Sequence, residues 1–168
     1  MKKKMLAIEK EVGALLKKLG KTIAVAESCT GGLISHRITN VPGRSEYYDR
    51  GVISYSNQAK MDILHVSSET LFKFGAVSRQ TAVEMAQGIR QISKTDFGLS
   101  VSGIAGPGGG SVQKPVGLVY ICLATEEDVF CNEYRFKGER EDIKFQTSQA
   151  ALEMLKKHLL TMPIKCKN

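Results

Sequence analysis

The sequence predicts a layered α/β/α fold with a mixed central sheet, and three observations carry that expectation. Short apolar runs alternate with segments of helical periodicity over the first hundred or so of the 168 residues, as parallel strands joined by crossover helices do. Two strand-like segments then follow one another directly, which adds an antiparallel pair. No internal repeat or linker interrupts the chain, so residues 1–168 read as a single domain large enough for a normal core.

Each element has its own reason. Met5, Ile8, Val12, Leu15, Leu16 and Leu19 share one helical face, and Gly20 stands where a helix ends. Thr22-Ile23-Ala24-Val25-Ala26 reads as a buried strand over about 22–27, followed by a helix over about 29–39. Pro42-Gly43-Arg44-Ser45 is a turn. Residues 50–56 read as a strand, with Asn57 capping a helix over about 58–64, and a short helix follows Ser67. Ser78 is the expected N-cap of a firmer helix with Ala82, Met85, Ala86, Ile89 and Ile92 on its apolar side. A strand over 97–101 runs into the glycine-rich loop 103–110. Residues 116–123 and 128–136 form the consecutive strands, the second alternating and therefore wet on one face, with Glu126-Glu127-Asp128 as the turn. A long helix over about 140–160 carries Ile143, Thr147, Ala150, Ala151, Met154 and Leu155 as its apolar stripe.

Composition excludes several classes of function. A 42% hydrophobic and 24% charged content is ordinary for a globular domain, and no apolar run approaches membrane-spanning length. Met1-Lys2-Lys3-Lys4 begins like a signal peptide, but Glu9, Lys10 and Glu11 interrupt the apolar region that should follow. A cytoplasmic protein is the expectation, with no membrane partner. The cysteines, Cys29, Cys122, Cys131 and Cys166, form no Cys-x-x-Cys pair and read as reduced thiols. His36, His65 and His158 lack ligand spacing, so no metal is expected. The net charge of +7 is concentrated in residues 1–21, with seven Lys and two Glu, and residues 153–168, with four Lys and one Glu. Two solvated lysine-rich faces explain this better than nucleic-acid binding, because aromatic interleaving is missing. The amphipathic terminal helices offer faces to a second subunit, so a homo-oligomer such as a dimer is an expectation.

Chemistry concentrates at Ala26-Glu27-Ser28-Cys29-Thr30-Gly31-Gly32, where a strand hands over to a helix. Helix-start N–H groups lack internal partners, so this place suits a nucleophile or an anion. Taken on its own, Ser28 reads as a helix cap. A serine nucleophile needs a base, and no histidine is placed to serve. Lys60, in Tyr55-Ser56-Asn57-Gln58-Ala59-Lys60, is the better candidate, because a lysine acts as a base when burial disfavours its ammonium, and serine–lysine pairs are a convergent variant of the serine triad. Tyr55 would relay a proton or orient Lys60 through its hydroxyl. Taken alone, Lys60 is better read as an exposed helix lysine. Cys29 is intrinsically the stronger nucleophile, and a helix start would lower its pKa. The loop 103–110 lacks the P-loop and dinucleotide fingerprints. Its exposed N–H groups suit a phosphate or carboxylate, and a flexible connection is an equal reading. Lys114 and Arg140 are further phosphate candidates, each more ordinary as a surface charge when taken singly.

Four segments in order carry a resemblance: 26–32, 55–60, Gly75-Ala76-Val77-Ser78, and Ser102-Gly103-Ile104-Ala105-Gly106-Pro107-Gly108-Gly109 through Lys114-Pro115-Val116-Gly117. They resemble the C-terminal domain family of the competence/damage-inducible protein CinA, over about residues 5–160. Stand-alone members are bacterial nicotinamide-nucleotide amidohydrolases. The resemblance implies hydrolysis of nicotinamide mononucleotide to nicotinic acid mononucleotide and ammonia in pyridine-nucleotide salvage, without metal or organic cofactor. It implies Ser28 as nucleophile, activated by Lys60 and Tyr55, with backbone N–H groups near Cys29, Thr30 and Gly31 holding the oxyanion and Cys29 otherwise packing. The loop through Gly103, Gly106, Gly108 and Gly109 would anchor the 5′-phosphate with Arg140 as a clamp, while Ser102 and Thr30 hydrogen-bond the substrate. Two-domain members add an N-terminal domain linked to ADP-ribose pyrophosphatase activity, for which these 168 residues leave no room. The competing expectation is a non-catalytic nucleotide-binding or interaction module linked to competence or DNA damage.

Overall fold

A computed structural model describes residues 2–164, with side chains from residue 8 onward. The side chains of Lys2, Lys3, Lys4 and Met5, and the whole of Lys165, Cys166 and Lys167, lie outside the described residues. The chain forms α1 (Lys2–Leu19), β1 (Ile23–Glu27), α2 (Leu33–Thr39), a 3₁₀ turn (Arg44–Glu46), β2 (Tyr48–Ile53), α3 (Asn57–Leu64), α4 (Ser68–Phe74), α5 (Arg79–Ser93), β3 (Phe97–Gly103), β4 (Leu118–Ala124), β5 (Val129–Arg135) and α6 (Arg140–Thr161). The sheet runs β2-β1-β3-β4-β5. β1 pairs in parallel with β2 and β3, whereas β3/β4 and β4/β5 are antiparallel. This is the mixed α/β sheet that the alternation of elements predicts.

Strand β1 shows why the layers form. All five of its residues are buried, because successive side chains point to opposite faces and both faces are covered. Ile23 and Val25 pack with Leu16 of α1, Ile34 of α2 and Leu155 of α6. Ala24 and Ala26 pack with Leu64 of α3, Leu71 of α4 and Met85 and Ile89 of α5. The first layer is further tied by a buried ion pair between Glu9 of α1 and Arg37 of α2. The Arg37 guanidinium also donates to Ser148 Oγ and Gln149 Oε1 of α6, each at 2.8 Å.

Several boundaries differ from the sequence expectation. Helix α2 starts at Leu33 rather than near 29, because Gly31 (φ 60°) and Gly32 (φ 100°) hold the intervening turn in left-handed conformations. β2 begins at Tyr48, where it pairs with Ile23, and ends at Ile53. β4 begins at Leu118, since Gly117 at φ 93° cannot continue a strand. Ser56, not Asn57, caps α3, its Oγ accepting from Ala59 N at 3.0 Å. Ser78 caps α5 as expected, accepting from Thr81 N at 3.1 Å. The expectation of four reduced thiols is also corrected: the hairpin register sets Cys122 opposite Cys131, and the two are disulfide-bonded. Among the described residues no helix is long and apolar enough to cross a membrane.

Candidate active site

The parallel strands end together, and the site forms at their carboxyl ends, where open α/β sheets bind ligands. Ser54, just beyond β2, donates its N–H to the Glu27 carbonyl at 2.9 Å, and Ser28 donates its N–H to the Val101 carbonyl of β3 at 3.2 Å. These bonds carry the sheet ladder one residue past β1 and fix where Ser28 points. Ser28 is 8% exposed, so its hydroxyl sits at the floor of the site.

Glu27, which sequence reasoning missed, organises the turn that follows. Its carboxylate is fully buried and accepts from Thr30 Oγ1 (2.6 Å), Gly32 N (3.0 Å), Ile34 N (3.1 Å), Ser35 N (2.8 Å) and Ser35 Oγ (2.7 Å). The anion suited to the start of α2 is therefore supplied by the protein itself. An acidic residue closing an apolar strand just ahead of a helix start was the available signal. Thr30 is 1% exposed and its hydroxyl is committed to Glu27, so that hydroxyl braces the turn and is not free for a ligand. Gly31 donates its N–H to the Ser28 carbonyl at 3.2 Å, whereas the N–H groups of Cys29 and Thr30 have no backbone acceptor among the described residues.

Lys60 arrives from α3. It is 1% exposed, against the ordinary expectation for a helix lysine. Its Nζ lies 3.1 Å from Ser28 Oγ, 2.7 Å from the Ser54 carbonyl and 3.3 Å from the Tyr55 carbonyl. Burial lowers the Lys60 pKa from the ordinary 10.5, opposed by the nearby Cys29. A neutral amine has two N–H bonds and one lone pair. In that form the two carbonyls would take the N–H bonds, and the lone pair would be left for the Ser28 hydroxyl proton. Close packing holds α3 in place: a Cβ on Gly88 of α5 would stand 2.0 Å from the Leu64 carbonyl.

Cys29 departs from the expectation of a lowered pKa. Burial pushes its thiol up to about 12, against the opposing influence of its own backbone and of Lys60 and Lys144. A thiol protonated at neutral pH is a poor nucleophile.

The cleft above these groups has a volume of about 170 Å³ and is walled by Tyr55, Ala76, Val77, Ser102, Gly103, Ala105 and Arg140. No hydrogen bond joins the Tyr55 hydroxyl to Lys60. The ring is 63% exposed and its hydroxyl accepts from the Arg140 guanidinium at 3.2 Å. Arg140 also donates to the Gly106 carbonyl at 2.7 Å, so it spans from the post-β2 segment to the glycine loop. Ser102 donates its hydroxyl to the Ala76 carbonyl at 2.7 Å, which leaves its lone pairs to a ligand. Gly103 lines the cleft, whereas Gly106, Gly108 and Gly109 lie outside its walls. Lys114 is also elsewhere, its ammonium held by the Phe74 carbonyl at 2.5 Å.

Comparison with known proteins identifies the family. The sequence model of the CinA C-terminal domain family matches residues 5–159. A competence-damage inducible protein of Caldicellulosiruptor bescii is 55% identical over 153 residues, 91% of this chain and 37% of that protein. A CinA-like protein of Syntrophomonas wolfei is 53% identical over 148 residues, 88% of this chain and 36% of that protein. The chain thus spans little more than a third of the length of these relatives. Among solved structures, the competence/damage-inducible protein CihA of Agrobacterium tumefaciens superposes with a TM-score of 0.90 at 43% identity, covering 94% of this chain and 96% of that one. The competence damage-inducible protein A of Klebsiella pneumoniae reaches 0.92 at 31% identity, covering 95% and 99%. The chain therefore belongs to the CinA C-terminal domain family.

Proposed function

We propose that this chain is a serine–lysine amidohydrolase that converts nicotinamide mononucleotide and water to nicotinic acid mononucleotide and ammonia. The observation that carries the reading is the buried Lys60 amine 3.1 Å from the Ser28 hydroxyl. Structural packing gives no reason to desolvate a lysine beside a serine, whereas general-base chemistry requires it. A non-catalytic competence module, the alternative that the relatives' names suggest, has no use for that arrangement.

Lys60 takes the Ser28 proton as Oγ attacks the carboxamide carbon. The developing oxyanion is met by backbone N–H groups, for which Cys29 and Thr30 are the available donors. The Lys60 ammonium, steadied by the Ser54 and Tyr55 carbonyls, returns its proton to the departing nitrogen, and ammonia leaves. Lys60 then deprotonates a water that attacks the acyl-serine ester, giving the carboxylate and restoring Ser28. Tyr55 contributes its carbonyl to Lys60 and its ring to the cleft wall. The cleft is smaller than the ~300 Å³ at which sites for whole drug-sized ligands begin. It suits a small ring with its amide, with the ribose phosphate lying over the rim. Pyridine-nucleotide salvage in a bacterial cytoplasm is the setting this reaction implies.

Ammonia release from nicotinamide mononucleotide, with free nicotinamide as comparison, tests the reading. The mononucleotide is expected to react and the free base to react poorly, because the remote phosphate positions the amide. No release from either substrate overturns it in favour of the binding module.

A further inference from the structure

A phosphate beyond the rim needs cationic partners, and most places that attract an anion here are already occupied. Glu27 takes the N–H groups at the start of α2. A reciprocal capping box between Glu139 and Asp142 closes the start of α6. Lys114 is held by the Phe74 carbonyl. The opening turns of α6 carry two cations, Arg140 and Lys144, one helical turn apart on the same side.

Lys144 was not singled out by any sequence motif. Its side chain is half-buried, and its Nζ lies 3.7 Å from where a Cβ on Gly31 would stand, directly over the turn that carries Ser28. Its charge is felt at the Cys29 thiol, which places it within electrostatic reach of the reacting serine. Neither Lys144 nor Arg140 forms an ion pair among the described residues. Positive charges in the opening turns of a helix oppose its macrodipole. The first turn of α6 supplies Glu141 and Asp142, yet neither pairs with Lys144. A half-buried ammonium held in that position without a carboxylate is placed for an incoming anion.

We propose that Lys144 is the specificity-determining residue of the site: with Arg140 it receives the phosphate of the substrate and selects nucleotides over nucleosides. The inference rests on the deamidase reading. The phosphate lies on the α6 side of the cleft, over Gly31, and the 108–110 stretch of the glycine loop is not its main anchor. Arg140 already bridges the rim and needs only to exchange the Gly106 carbonyl or the Tyr55 hydroxyl for a phosphate oxygen.

The test compares the unaltered protein with Lys144→Gln and Lys144→Arg on nicotinamide mononucleotide and on nicotinamide riboside, which lacks the phosphate. Lys144→Gln is expected to lower the mononucleotide-to-riboside ratio of kcat/KM about tenfold or more, mainly through KM, as loss of one charge-assisted hydrogen bond does. Lys144→Arg keeps the ratio within about threefold, since the charge is retained. A ratio in Lys144→Gln equal to that of the unaltered protein overturns the proposal. If the unaltered protein hydrolyses neither amide, the deamidase reading falls separately, and calorimetric titration with nicotinic acid mononucleotide decides the role of Lys144. Weaker binding by Lys144→Gln, by about the same factor, supports the anion site; equal binding, or none by the unaltered protein, overturns it.

Discussion

Lys60 Nζ lies 3.1 Å from Ser28 Oγ although 32 residues separate them in sequence. If the pair acts as one unit, Ser28→Ala and Lys60→Met each lower kcat about a thousandfold or more, and the double variant loses no more than the worse single one. Steady-state ammonia release on the three proteins measures this. Additive losses would show that the two side chains act separately.

The pH dependence has a defined sign. Burial holds the Lys60 amine below the ordinary 10.5, so kcat/KM rises with pH through an inflection below that value as the neutral base forms. The unfolded chain keeps this proton up to 10.5 while the folded chain releases it earlier. Between those two values the unfolded state binds more protons, and stability rises with pH. Lys60→Met removes both the inflection and that part of the stability slope. A pH–rate profile and denaturant midpoints across the window read the two effects.

Glu27→Gln leaves the shape of the side chain but cannot accept with both ends. Oε1 now serves Ser35 N and Oγ, and Oε2 serves Thr30 Oγ1, Gly32 N and Ile34 N. The amide nitrogen would face donors on one side or the other. The expected result is a kcat lowered about tenfold to a hundredfold with a much smaller change in KM, because Ser28 loses its alignment. A loss of thermal stability with kcat per folded molecule intact would assign Glu27 to the fold alone.

Cys29→Ala keeps activity within a few-fold, and the unaltered thiol reacts slowly with alkylating reagents at neutral pH, since burial pushes its pKa up to about 12. Rapid inactivation by a thiol reagent, prevented by Cys29→Ala, would make the cysteine the nucleophile instead.

Gly88→Ala drives a methyl to 2.0 Å from the Leu64 carbonyl and forces α5 away from the end of α3. Overpacking of this kind costs about 1–3 kcal/mol, read as a lower urea midpoint. Because α3 carries Lys60, ammonia release per folded molecule falls as well.

Local sequence logic was sufficient where local physics decides. The apolar run at Ile23–Ala26 is a strand because both of its faces are covered, and Ser78 caps α5 because its hydroxyl reaches Thr81 N within one turn. It failed at the start of α2, where two left-handed glycines and the Glu27 carboxylate delay the helix to Leu33. It failed again at Cys122 and Cys131, whose pairing follows from the β4/β5 register and not from their spacing.

By itself the sequence determined the order of strands and helices, the membership carried by four spaced segments, and the residue types that the candidate site draws on. Apolar periodicity and turn chemistry act within a few residues, so these were legible. Only the tertiary structure decided that Lys60 is buried, that it meets Ser28, that Tyr55 faces Arg140, and that Lys144 lies over Gly31. Each depends on the parallel alignment of β1 with β2 and β3 and on the packing of α3 and α6 at their carboxyl ends. Those contacts join segments far apart in the chain, and the desolvation that lowers the pKa of Lys60 exists only once they have closed around it.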